Sequence, residues 1–350
     1  MAGKQPKDTD WRMREADNSR RMTVRSAGMI AFGPVPSRRL GRSLGINNIP
    51  AKTCTYSCVY CQLGGTTNMT IERRAFHEPG KVLQDVRRKV DEAKGRKGRI
   101  DYLSFVPDGE PTLELNLGRQ ISILKQVGIP IAVLTNASMI WQEAVREDLL
   151  GADLVSLKVD ALSEDLWRRI DRPHRNLRLE IVLDGIRDFS REFKGTIITE
   201  TMLIDGINYA DEFERMAEFL GDLKRLDKAY VAAPSRPPTE GWVRPAKDEV
   251  MNPAFQVFSQ RLGSNRVEWL TGYEGSGFTA TGDVGEDLLS IVAVHPIREE
   301  ALEEFVRGAG ADWRIVEELL QKGRLKKLTY RGNTYFMRKL PAEDPKRGNS

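Results

Sequence analysis

The chain has three cysteines, all within one eight-residue run, CTYSCVYC, at Cys54, Cys58 and Cys61. An odd number argues against a disulfide framework, and three thiols this close suit a metal. A fully ligated iron–sulfur cubane needs four thiolates, so three would leave one iron without a protein ligand and able to bind a small molecule directly. The other arrangement these residues allow is a Cys3His zinc site completed by His77, His174 or His295.

Further polar signatures follow along the chain: Asp108-Gly109-Glu110-Pro111-Thr112, then Thr135-Asn136, then Ser156, Lys158 and Asp160 at alternate positions. Glu200 and Met202 come next, and Pro234 stands immediately before the run SRPP at 235–238. Each signature follows a short apolar segment: DYLSFV, IPIAVL, DLVSLKVD, GTIITETMLI and KAYVAAP. Between these segments the apolar spacing is helical, over about 78–93, 114–127, 141–150, 163–170, 177–193 and 210–225. Strands alternating with amphipathic helices predict βαβ units and a parallel sheet of about six strands. In such folds ligands bind at the carboxyl ends of the strands, which is where all these signatures would fall. Alternation along a strand puts Ser156, Lys158 and Asp160 on one face.

From Met29 onward the Gly- and Pro-rich stretch before the cysteines reads as a strand or hairpin region leading into the cysteine loop. The expected fold is α/β, a partial (β/α)6 TIM-like barrel over residues 29–284. The stretch 285–340 changes character. HPIREEALEEFV and DWRIVEELLQKG read as two amphipathic helices, and LKKLTYRGNTYFMRKL as a hairpin turning at Arg331-Gly332-Asn333, together a winged-helix-like α+β appendage. Residues 1–28 and 341–350 read as polar flexible tails.

With 40% hydrophobic and 30% charged residues, the composition is that of a globular protein with a sizeable core. The sequence has no apolar run of membrane-spanning length and no secretory h-region at its start, so a cytoplasmic location without membrane attachment is expected. The net charge of +4 is unevenly spread. Residues 1–30 hold seven basic and four acidic side chains, and residues 324–350 hold eight and two. Basic ends suit an anionic partner such as nucleic acid, or are solvated tails.

CxxxCxxC with Tyr60 between the last two cysteines resembles the cluster motif of the radical S-adenosylmethionine (SAM) superfamily. Asp108-Gly109-Glu110-Pro111 is similar to that family's GGEP segment, which accepts the methionyl amino group, with Asp108 in place of the first glycine. Thr135-Asn136 resembles its TN(G) strand ending, with Ala137 in place of glycine. Ser156, Lys158 and Asp160 fall where relatives contact ribose and carboxylate. Glu200, Met202 and Pro234 fall where relatives line the nucleoside pocket. The resemblance spans about residues 30–240. It implies a 4Fe–4S cluster on the three cysteines, SAM as cofactor, and an external one-electron donor of flavodoxin or ferredoxin type. The implied reaction is reductive cleavage of SAM to a 5′-deoxyadenosyl radical, which abstracts hydrogen from a substrate.

GPVPSRRLGRSLGIN, before the cysteine loop, resembles the wyosine-synthetase-like branch. Its Arg38, Arg39 and Arg42 are candidates for an anionic substrate or for surface ion pairs. No cysteine is left for a second cluster, so a single-cluster member acting on RNA or tRNA is expected. The alternatives are modification of a protein or small molecule, with the appendage docking a partner, and a non-enzymatic Fe–S redox sensor that binds DNA. Tyr56, Tyr273, Glu274 and His295 are candidates to face the substrate, and GYEGSGF at 272–278 is a candidate substrate loop.

Overall fold

The computed structural model describes residues 30–95, 98–209, 211–272, 277–278, 280 and 283–339. The expected tails and the centre of the GYEGSGF loop, with Tyr273 and Glu274, lie outside the described residues.

The chain begins with a hairpin, β1 (Ala31–Ser37) against β2 (Gly41–Ile46). The cysteine loop follows and contains the short pair β3 (Thr53–Cys54) and β4 (Asn68–Met69). Helices then alternate with strands: α1 (Pro79–Gly95), β5 (Tyr102–Phe105), α2 (Leu117–Leu124), β6 (Ile131–Thr135), α3 (Glu143–Leu149) and β7 (Leu154–Lys158). Two helices, α4 (Glu164–Ile170) and α5 (Leu179–Glu192), precede β8 (Thr196–Met202). Then come α6 (Glu212–Asp222), β9 (Leu226–Ala232), α7 (Asp248–Leu262) and β10 (Val267–Leu270).

These strands form one eight-stranded sheet in the order β1-β2-β5-β6-β7-β8-β9-β10. Only β1 is antiparallel to its neighbour; from β2 to β10 every pairing is parallel. The sheet is therefore larger than the six strands expected. The β1–β2 hairpin falls in the Gly- and Pro-rich stretch before the cysteine loop that reads as a strand or hairpin region. Within β2, Gly45 is obligatory: a Cβ there would lie 2.0 Å from the Phe32 ring. β10 is a four-residue edge strand, VEWL, with two exposed positions and no alternation. α7 carries Pro253 within it, which argues against a helix in sequence.

Alternation along the strands separates two faces. Val133, Val155, Ile197 and Val231 join the main core under the helices, whereas Ala132, Leu154, Ile198, Tyr230 and Ala232 form a second cluster on the opposite face. α5 shows what holds the helical layer: Leu179, Val182, Ile186 and Phe189 are buried, each worth ~1.5–3 kcal/mol as an upper estimate. Positions 156, 158, 200, 202 and 234 continue the alternation of the second face toward the carboxyl rim.

The last segment comprises α8 (Val284–Val294), β11 (Ile297–Arg298), α9 (Glu299–Gly308), α10 (Arg314–Gln321), β12 (Leu325–Tyr330) and β13 (Asn333–Arg338), with sheet order β11-β13-β12. Arg331 and Gly332 turn the hairpin with φ of 49° and 75°. The segment shares a core with β1, since Phe32 and Val35 pack among Leu288, Ile291, Phe305 and Phe336. A buried ion pair between Lys89 of α1 and Asp287 of α8 fastens it further. No helix among the described residues is long and apolar enough to cross a membrane.

Candidate active site

The cysteine loop lies across the carboxyl rim and is fixed from both sides. Val59 N donates to Ile170 O at 2.9 Å, Ser57 N to Asp171 O at 3.1 Å and Thr239 Oγ1 to Cys61 O at 2.7 Å. Glu110 N donates to Thr53 O at 3.2 Å, tying the loop to the segment after β5. That approach demands glycine at 109, where φ is +151° and a Cβ would stand 1.9 Å from Thr53 O. All three thiols are free and line one cavity of about 310 Å³.

Burial pushes the Cys54 thiol up to about 12, with the Glu110 charge adding to it. Cys58 is raised well above its usual value by burial and by Asp171, and Cys61 is raised by burial. Such thiols become thiolates only against a bound positive charge, so metal binding here releases protons. Among the described residues no three His, Cys, Asp or Glu side chains stand close enough to share one metal ion. A cubane carries each thiolate on a different iron and so accepts wider spacing. None of His77, His174 and His295 lines the cavity, which leaves the Cys3His alternative without its fourth ligand. The three residues fit a cluster better than a mononuclear site.

Glu110 is almost wholly buried. Its Oε1 accepts from Thr112 N at 3.0 Å, Thr112 Oγ1 at 2.6 Å and Thr135 Oγ1 at 2.6 Å, and its Oε2 from Asn136 N at 2.8 Å. Burial raises its pKa against the pull of these donors. The carboxylate therefore joins the loop after β5 to the end of β6, and it lines the cavity with Oε2 engaged by one donor. Asn136 passes the constraint on, donating from Nδ2 to Thr55 Oγ1 at 2.8 Å. Asp108, where a glycine was expected, forms a buried ion pair with Lys52 at 3.2 Å.

Lys158 Nζ lies 2.7 Å from Glu200 Oε1 and 4.9 Å from the centre of the Tyr60 ring. Burial works against its charge, but Asp160 and Glu200 outweigh it and hold the ammonium above its usual range. Glu200 also pairs with Arg39. Burial would raise the Glu200 carboxyl, yet Arg39 and Lys158 hold it at about 2. Tyr60 Oη donates to Asp160 and lies 2.8 Å from Asp171 Oδ1. Burial raises both carboxyls, and for Asp171 the adjacent Asp160 charge adds to the effect.

The cavity brings together Cys54, Cys58, Tyr60, Cys61, Gly109, Glu110, Thr135, Asn136, Ser156, Lys158, Glu200, Met202 and Pro234. Two expected wall residues are not among its lining. β7 ends at Lys158, and the Asp160 carboxylate turns inward to accept from Met202 N at 2.7 Å and from Tyr60. Pro111 is buried at the start of a 3-10 turn behind Glu110. Arg38 and Arg39 line the cavity; Arg42 lines a separate hollow with Arg99 and Asp101. Tyr56 lines it too, its Oη accepting from Trp167 Nε1 at 3.1 Å. His295 lies 3.1 Å from Arg236.

Ser235 and Arg236 of the SRPP run line the cavity too, as do Lys52, Gln62 and Val294, which were not singled out in sequence. Arg236 Nη1 donates to Gln62 Oε1 at 2.5 Å, and Gln62 Nε2 to Val294 O at 3.2 Å. The C-terminal segment thus supplies part of the wall.

The sequence profile of the radical SAM superfamily matches residues 48–220, from the cysteine loop through α6. A UPF0026 protein of Methanocaldococcus jannaschii is 45% identical over 316 residues, covering 90% of this chain and 98% of the relative. A UPF0026 protein of Synechocystis is 36% identical over 208 residues, covering 59% of this chain and 76% of the relative. Among solved structures, a radical SAM methyltransferase from Sphaerobacter thermophilus shares the fold, with a TM-score of 0.51, 18% identity and coverage of 66% and 67%. Matching profile, fold and cysteine-lined cavity lead to one conclusion: the chain belongs to the radical SAM superfamily of enzymes.

Proposed function

We propose that the chain is a single-cluster radical SAM enzyme of the wyosine-synthetase-like branch that abstracts hydrogen from an RNA substrate. The observation that carries the reading is the convergence of Cys54, Cys58 and Cys61 with the strand-end residues in one cavity. The three cysteines would hold a 4Fe–4S cluster, and the chain has no further cysteine for a second one. When bound, that group supplies the electron, received from a flavodoxin- or ferredoxin-type donor, that cleaves SAM to methionine and a 5′-deoxyadenosyl radical.

The protein's part is to bind, orient and exclude water. Backbone carbonyls beside Gly109 and the Glu110 Oε2, which among the described residues accepts only from Asn136 N, suit the methionyl ammonium. Lys158 suits the carboxylate and Ser156 the ribose, while Met202 and Pro234 offer apolar surface to the base. Tyr60, held by Asp160 and Asp171, keeps Lys158 aimed at the cavity. Arg38 and Arg39 suit an anionic substrate, and the hairpin bearing them is the segment that resembles the wyosine-like branch. The order α8-β11-α9-α10-β12-β13 supports reading the last segment as winged-helix-like.

The test is anaerobic reconstitution with iron and sulfide, then dithionite and SAM, with 5′-deoxyadenosine read by mass spectrometry. Formation of 5′-deoxyadenosine is expected; a cluster-loaded protein that makes none overturns the reading in favour of a redox sensor. Transcript-wide comparison of modified nucleosides with and without the gene tests RNA as substrate.

A further inference from the structure

Three hollows adjoin along the seam between the last hairpin and the barrel rim. The outermost is lined by Trp269, Lys247, Asp248, Glu249 and Arg331, among others. The middle one, of about 290 Å³, is lined by Arg298, Arg331, Asn333 and Tyr335 and shares Arg331 and Thr271 with the outer one. It in turn shares Ala233, Pro234 and Ser235 with the catalytic cavity. The three therefore form one track leading inward.

Its chemistry changes along the way. Trp269 is 39% exposed, with its inner face stacked on Phe255 at 4.6 Å, so the outer hollow offers a supported aromatic face. Among its described lining residues the middle hollow has two guanidiniums and no carboxylate. Tyr335 fixes its floor, donating from Oη to Ser235 O at 3.0 Å, while the Arg298 guanidinium lies 5.7 Å from its ring centre. The catalytic cavity follows, with five cationic side chains against three carboxylates. Those three are already engaged: Asp108 with Lys52, Glu110 with its four donors, and Glu200 with Lys158 and Arg39.

We propose that this seam is the track of a single RNA strand, with a base stacked on Trp269, phosphates on Arg331 and Arg298, and the next nucleotide delivered into the catalytic cavity. The inference rests on the RNA reading above and deepens it by assigning the strand's path and its single-stranded state. An aromatic platform followed by an arginine-lined, acid-poor channel suits alternating bases and phosphates. An acidic peptide would use the arginines but has no need of the stacking face.

The test is anisotropy titration of the reconstituted full chain with fluorescein-labelled oligouridylate across a salt series, together with two variants. Arg331→Asn suits the positive φ at 331 and is expected to lower the slope of log K against log salt by about 0.7, one phosphate contact on a single strand. Trp269→Leu is expected to weaken binding ~5- to 100-fold with the slope unchanged. Arg191→Gln, on the remote helix α5, is the control expected to match the wild type. The seam is overturned if the wild type binds oligouridylate with a normal slope but both variants match it. It is also overturned if polyglutamate competes as well as oligouridylate and Trp269→Leu has no effect. RNA-free 5′-deoxyadenosine formation with dithionite is expected to be equal in Arg191→Gln and wild type. Its absence in wild type overturns the enzymatic reading itself, whereas its presence without oligouridylate binding overturns only the track.

Discussion

Glu110→Gln tests whether one buried carboxylate joins the cysteine loop to the sheet. Glutamine keeps Oε1 and its three donors but puts an amide NH2 where Oε2 stood, directly facing Asn136 N–H at what was 2.8 Å. Two donors then oppose each other in a buried site, and flipping the amide would forfeit three bonds to save one. An unsatisfied buried donor costs about 1–3 kcal/mol. Removing the charge does not offset the whole of this: burial raises the Glu110 pKa, so some desolvation cost is recovered, but the clash remains. A net loss of about 1–3 kcal/mol corresponds to a fall in Tm of roughly 1.5–4 °C for a chain of this size. Asn136 is the route to the loop through Thr55, so reconstituted iron per chain is expected to fall as well. The assays are thermal unfolding of the metal-free protein by circular dichroism and iron analysis after reconstitution. A variant that melts within 1 °C of wild type and retains full iron would refute the reasoning.

Glu200 predicts an acid-side effect. Its carboxyl is held at about 2 in the folded protein against an ordinary 4.5, so its contribution is complete above about pH 4.5 and is lost as pH falls toward 2. The linkage amounts to a few kcal/mol at most, and Glu200→Gln should lose correspondingly less stability than wild type between pH 5 and 2.5, read from urea midpoints. Gly109→Ala should displace Thr53 and break its bond to Glu110, costing more than about 2 kcal/mol and most of the bound iron; full iron loading would contradict this. Asp287→Ala leaves Lys89 buried without that partner and should cost about 3–5 kcal/mol in denaturant unfolding, while Lys89→Met with Asp287→Leu should recover most of it. Equal stability of the single and double variants would argue against an ion pair fastening α8 to α1.

Much of the site could be read in sequence because it obeys local rules. Strand alternation alone puts Ser156 and Lys158 on one wall and Glu200 and Met202 on the next. The rule fails where the strand stops: Asp160, two residues past the end of β7, is turned by Met202 N and Tyr60 rather than by the pleat. Lys52 and Asp171 carry no spacing signal, since their partners arise only when distant loops meet, as when Asp171 reaches Tyr60 across 111 residues. One edge of the sheet was harder still: β10 is short and half-exposed, whereas the β1–β2 edge falls in the stretch that reads as strand or hairpin. The position of the last segment could not be read locally either, because its core is completed by Phe32 and Val35 from the other end of the chain.

That shared core has a consequence during synthesis. Phe32 leaves the ribosome about 300 residues before Phe336, its neighbour in the same cluster, which at ~5–20 residues per second is a delay of roughly 15–60 s. Throughout that interval the first hairpin has an uncovered apolar face, and the wall supplied by Val294 is missing from the cavity. The nascent protein therefore carries its three thiols beside a cavity whose wall stays incomplete until Val294 and the segment after it have been made.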